Sequence, residues 1–166
     1  MPRHFQRTCR TALFLCLLAV GLSFASAAKA EDDALSVMRG YGYFNIFCDL
    51  IERAGLSATF ESAGPMTVFA PEDAAFERMS PDVRRRLEMP EHVSELRALL
   101  LYHVVDGRLS AFELKREKPH GTIAGKRVEF LDMGSSLMIN DAFIDTADIR
   151  ASNGLIHEID KVLTPP

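Results

Sequence analysis

Two histidines are the side chains of this sequence best suited to chemistry, and both sit in apolar company. His103 follows Leu99–Leu100–Leu101–Tyr102 and precedes Val104–Val105; His157 lies between Leu155–Ile156 and Ile159. An imidazole near neutrality can serve as a general base, a nucleophile's partner or a metal ligand. Each role needs companions, either a nucleophile within reach or further ligands with the second ring nitrogen anchored. The other candidates supply none. His92 lies on a charged stretch and His120 in a loop. The chain has no Gly-x-Ser-x-Gly elbow and no phosphate-binding glycine loop. Asp141, Asp145 and Asp148 do not have the spacing of a calcium loop. Arg84, Arg85 and Arg86 are three consecutive residues of a helical stretch, so they splay around its axis and read as a solvated face. No catalytic residue, metal site or cofactor is expected from these residues.

The backbone context gives the histidines a different task. In an extended segment Leu155, His157 and Ile159 share one face, the more apolar one. A neutral imidazole there needs one donor and one acceptor, and the backbone of a neighbouring strand or loop is the cheapest source. The expectation is that His157, and His103 likewise, hold the fold together by internal hydrogen bonds.

The elements that position them divide the chain in two. Phe44, Phe47, Cys48, Ile51 and Ala54 recur at helical spacing, with Gly55 as a stop. Residues 66–71, "MTVFAP", have the β-branched and aromatic content of a strand. Glu72 and Asp73 then bring carboxylates to the start of a helix over "EDAAFERM", where they are expected to meet its unpaired amides and the positive end of its dipole. Ser80–Pro81 restarts a helix, and a third carries Val93, Leu96, Leu99 and Leu100 on one stripe. From His103 onward the period shortens to two, and Asn153–Gly154 reads as the tight turn of a hairpin, with Gly154 supplying positive φ. Helices first and strands later predict an α+β domain, its strands pairing antiparallel because the connections are too short for helical crossovers.

The first thirty residues read as a secretory signal peptide. Arg3, Arg7 and Arg10 precede an apolar stretch from Leu13 to Leu22, and small residues lead to Ala28 and Ala30. The expected product is one domain over residues 31–166, exported to the periplasm or beyond, with no membrane insertion once the leader is removed. It holds all 23 acidic residues and 15 of the 19 basic ones, a formal charge of −8. That surface argues against nucleic acid and against anionic lipid as partners. Cys9 and Cys16 fall in the leader, so Cys48 stands alone, which excludes a disulfide framework within one chain. Cys48 reads as a buried, inert thiol.

Three stretches together resemble the fasciclin domain family: "TVFAPEDAAF" (67–76), "LLLYHVVDG" (99–107) and "GLIHEID" within "SNGLIHEIDKVLTPP". The motif residues carried by that resemblance are Thr67, Phe69, Pro71, Phe76, Tyr102, His103, Asn153, Gly154, His157 and Asp160. It implies a twisted, mostly antiparallel β-sheet wedge flanked by helices of the N-terminal half. It also implies an extracellular module for adhesion or matrix contacts, without a known catalytic site. Asp148–Ile149 resembles an Asp-Ile pair that some animal members offer to receptors. Here Ile149 is expected to pack inward, leaving Asp148 as the surface candidate. The leading functional expectation is a non-enzymatic, monomeric adhesion module that contacts a cell-surface or matrix protein or polysaccharide. The alternative is a periplasmic carrier of a small apolar ligand between helices and sheet, and a hydrolase using His103 or His157 ranks last.

Overall fold

The computed structural model describes residues 32–62, 64–116 and 120–166; the expected leader lies outside them. Three helices open the domain: α1 (Ala34–Tyr41), α2 (Asn45–Arg53) and α3 (Ser57–Ser62). Strand β1 (Met66–Pro71) follows, then α4 (Asp73–Glu77), α5 (Pro81–Glu88), a 3-10 turn (Pro90–His92) and α6 (Val93–Tyr102). The second half carries β2 (Val104–Asp106), the short α7 (Ala111–Leu114), β3 (His120–Gly121), β4 (Arg127–Val128) and β5 (Phe130–Asp132). It ends with β6 (Leu137–Ile139), β7 (Ala142–Ala151) and β8 (Gly154–Ile159). Helices and a mostly antiparallel sheet make this an α+β fold.

Six strands join in the order β2-β1-β8-β7-β6-β5, with β3 and β4 forming a separate ribbon. All the pairs in the main sheet are antiparallel except β1 with β8, which run parallel from Met66↔Gly154 to Pro71↔Ile159. The one parallel pair in this mostly antiparallel sheet has a plain reason. Between β1 and β8 the chain makes four helices and six strands, ample length for a parallel return. Strands β1 and β8 are therefore central and buried on both faces. Val68, Ala70 and Ile156 point into a helical core with Phe44, Phe47, Phe60, Phe76 and Leu100. Phe69 and Ile159 point into a second core with Tyr102, Val128, Ile139 and Leu163.

Two local expectations are corrected. Asp73 does not cap its own helix: its carboxylate accepts hydrogen bonds from Ile46 N–H (2.8 Å) and Asn45 Nδ2 (2.9 Å) at the start of α2. The α2 amides are left unsatisfied by Phe44 at the N-cap position, which has no side-chain acceptor to offer them. Glu72, at the N-cap of α4, makes no capping bond and pairs instead with Arg78 at 2.8 Å. The hairpin turn also lies one residue earlier than expected. Ala151 pairs with Gly154, so Ser152 and Asn153 make the turn and Gly154 is the first residue of β8. Gly154 does not adopt positive φ. Its lack of a side chain matters because an added Cβ would fall 2.0 Å from Met66 O on the neighbouring strand.

Candidate functional site

Parallel pairing sets His157 beside Phe69, and their rings stack at 5.4 Å between centroids with 23° between planes. Across the ring, β7 bulges: Thr146 faces Glu158 and Ile149 faces Ile156, so Ala147 and Asp148 are set against His157 alone. Asp148 takes up the bulge with φ 62°, a conformation that Asp tolerates better than most residues. Its N–H donates to His157 Nδ1 at 3.2 Å, which leaves Nε2 protonated and donating to Leu109 O at 2.8 Å. Thr67 grips the same loop from β1, since its hydroxyl donates to Gly107 O (2.7 Å) and accepts from Leu109 N–H (2.9 Å). The Asp148 carboxylate closes the circuit by accepting from Ala111 N–H at the head of α7 (2.9 Å). A Ser110–Glu113 capping box completes that short helix.

His103 is used in the same way on the other side of β1. Leu163 N–H donates to its Nε2 at 3.0 Å, so Nδ1 carries the proton and donates to Leu99 O at 2.8 Å. The ring is fully buried, 5.5 Å from the Phe47 ring. Burial holds its pKa down to about 4, against 6.5 for a free imidazole, although the bond to Leu99 opposes this. Burial also lowers His157, opposed by the Leu109 bond and the nearby Asp148 charge. Both rings are neutral near pH 7 with both nitrogens engaged.

The remaining motif residues are also bound internally. Tyr102 donates its hydroxyl proton to Arg127 O (3.0 Å) and accepts from Asn140 Nδ2 (3.0 Å). Asn153 accepts from Ala34 N–H (2.9 Å) and donates to Phe60 O (2.7 Å), tying the hairpin turn to α1 and α3. Asp160 accepts from Phe143 N–H at 2.7 Å. Phe69, Phe76 and Pro71 are buried. Gly154 gives β1 its close approach. Ile149 is buried in the helical core, and Asp148 is exposed beside it. Cys48 is buried, which pushes its thiol up to about 11. Among the described residues no three His, Cys, Asp or Glu side chains gather as metal ligands, and no helix is long and apolar enough to cross a membrane.

Sequence reading missed Leu109, Asn140 and Thr67's double bond to the loop, because each contact joins segments far apart in the chain. Asn140, in an Asn-Asp pair between two strands, carried a faint turn signal; its φ is 51°.

The Fasciclin domain family model matches residues 42–165. The chain belongs to the fasciclin domain family. Protein sll1483 of a Synechocystis species is 32% identical over 140 residues, covering 82% of this chain and 77% of that one. The transforming growth factor-beta-induced protein ig-h3 of Sus scrofa is also 32% identical, over 132 residues; the match covers 80% of this fasciclin chain and only 19% of ig-h3. Among solved structures, the fold matches a domain pair from the insect cell adhesion molecule fasciclin I. The TM-score is 0.74 at 14% identity, over 81% of this chain and 51% of that one.

Proposed function

We propose that this fasciclin domain is an exported, non-enzymatic interaction module that makes adhesive contacts with a cell-surface or matrix protein or polysaccharide. One observation carries the reading: both nitrogens of His103 and of His157 are bound to backbone groups. A hydrolase or metal site built on either ring would need a free nitrogen, and the described bonding leaves none. The motif residues are occupied in bracing the fold, so recognition falls to the exposed surface. Asp148 is the contact proposed there, its carboxylate exposed and held in place by the bulge and the α7 amide. The leader composition supports export, and relatives of this fold include a molecule named for cell adhesion. The test combines cross-linking in envelope or matrix extracts of the host with deletion of the gene. A recurrent partner together with reduced adhesion is expected. No recurrent partner, with adhesion and biofilm unchanged, overturns the reading.

A second reading is carriage of a small apolar ligand. It rests on a groove of about 410 Å³ that lies among helices α2, α5 and α6, rather than between helices and sheet.

A further inference from the structure

The run Arg84–Arg85–Arg86 lies just before the α5 residues that line that groove, and its three side chains have different fates. Arg85 pairs with Asp82, and Arg86 Nε donates to Glu95 at 3.0 Å. Arg84 is half-buried and, among the described residues, its guanidinium has no hydrogen-bond or ion-pair partner. Arg53, at the end of α2, is likewise unpartnered.

The reason for a groove here is the composition of α5. Leu87 is its one buried residue, so a strongly polar helix is held to the core by a single anchor. Met89 then leaves the helix in extended conformation and Pro90 starts the 3-10 turn. The space beneath is lined by Leu87, Met89, Pro90, Val93 and Leu96, together with Arg53 and Glu88. Met89 keeps 46% of its surface exposed there. Arg53 also lines an adjoining recess of about 260 Å³ with Arg84, Arg85, Asp49 and Glu88. Three guanidinium groups therefore face two carboxylates, in a domain whose formal charge is −8. Neither carboxylate is paired with Arg53 or Arg84, which leaves both arginines able to donate to an incoming anion.

We propose that this groove and the adjoining recess together bind a single-chain amphiphile with an anionic head, its tail on the Leu87–Leu96 floor of the groove and its head between Arg53 and Arg84 in the recess. The volume lies within the about 300–1,000 Å³ of small-molecule sites, and is too small to seat a partner helix about 10 Å across. A neutral apolar ligand would leave both arginines without a partner. A cationic one could pair with Asp49 or Glu88 but would leave both arginines unpartnered. The inference rests on the carrier reading and is independent of the adhesive one, since neither Asp148 nor the β7 bulge takes part.

The test is an NMR titration of the purified full chain with sodium decanoate below its micellar concentration, beside nonyltrimethylammonium, which has the same nine-carbon tail and the opposite head charge. Saturable shifts are expected at the methyl groups of Leu87, Val93 and Leu96, with decanoate binding at least tenfold tighter than the cation. Arg53→Gln with Arg84→Gln should weaken decanoate about tenfold and leave the cation no weaker. Met89→Asp should weaken both. All three positions are exposed or half-buried, and Arg53→Gln alone serves if the double variant melts early. The proposal is overturned by the absence of saturable shifts at millimolar decanoate, or by shifts centred elsewhere. It is also overturned by equal affinity for anion and cation, by an unaffected double variant, or by binding only to vesicles of anionic phospholipid and not to the monomer.

Discussion

Giving Gly154 any side chain sets β8 against β1. An ideal Cβ at this position lies 2.0 Å from Met66 O, 3.0 Å from Met66 C and 3.1 Å from Met66 Cγ. The first two atoms are backbone in a strand paired on both sides, so a rotamer change gives no relief. The strands must part where Met66 N–H bonds Asn153 O at 3.1 Å. Losing about two backbone hydrogen bonds costs about 1 kcal/mol each. Overpacking adds about 1–3 kcal/mol. The total, about 3–5 kcal/mol, is a large part of the about 5–15 kcal/mol that stabilises an ordinary domain, and corresponds to a melting temperature lower by roughly 10–20 °C. Thermal and urea melts of Gly154→Ala and Gly154→Asn form the assay. Asn is the discriminating substitution: where a glycine serves positive φ, Asn is among the best replacements, whereas beside a backbone oxygen any Cβ is equally harmful. Both variants should lose stability to a similar extent. A near-parental Gly154→Asn beside a crippled Gly154→Ala would refute the close-approach argument, as would an unchanged midpoint for either.

Asn153→Ala should cost about 2–3 kcal/mol, because it leaves Ala34 N–H and Phe60 C=O without their partner, and a urea midpoint measures it. Ile149→Ala should cost about 2–4 kcal/mol by emptying a core position. Asp148→Asn keeps an acceptor for Ala111 and a residue tolerant of φ 62°, so it should fold normally and weaken partner binding; full binding would remove Asp148 from the interface. Acid should unfold the protein in part through His103. Its folded pKa, about 4, lies below the ordinary 6.5, so the unfolded chain binds more protons between those values. Its contribution is complete above pH 6.5 and is lost as pH falls towards 4, up to about 3 kcal/mol, with His157 acting in the same direction. His103→Gln should be weaker at pH 7.5 and show a shallower loss down to pH 4.5; an equal slope would argue against this.

Local chemistry was the legible part of this fold. "MTVFAP" became β1 over Met66–Pro71, and the Leu-rich stripe became α6, because β-branching and helical periodicity are properties of neighbouring residues. The apolar alternation around His157 pointed to a buried ring with backbone partners, but could not say which backbone. Leu109 lies 48 residues away and Leu163 lies 60 residues from His103, so neither contact leaves a local trace. Asn-Gly misled because the pair is a common turn signal, whereas this Gly answers to Met66 across a parallel pairing that no periodicity reveals. Asp73 misled similarly: a carboxylate at a helix start usually serves that helix, and here it turns to the α2 amides. The arginine run read as a solvated face, and only packing separates Arg84 from its paired neighbours.

The central claim is that His103 and His157 are neutral internal braces with every ring nitrogen engaged. Long-range 1H–15N NMR of the imidazoles at pH 6–7 tests it most directly. His103 should appear as the Nδ1–H tautomer and His157 as the Nε2–H tautomer, both neutral and unmoved by added zinc. An imidazolium at pH 6 to 7, the opposite tautomer at either position, or zinc-induced shifts of either ring would contradict the account.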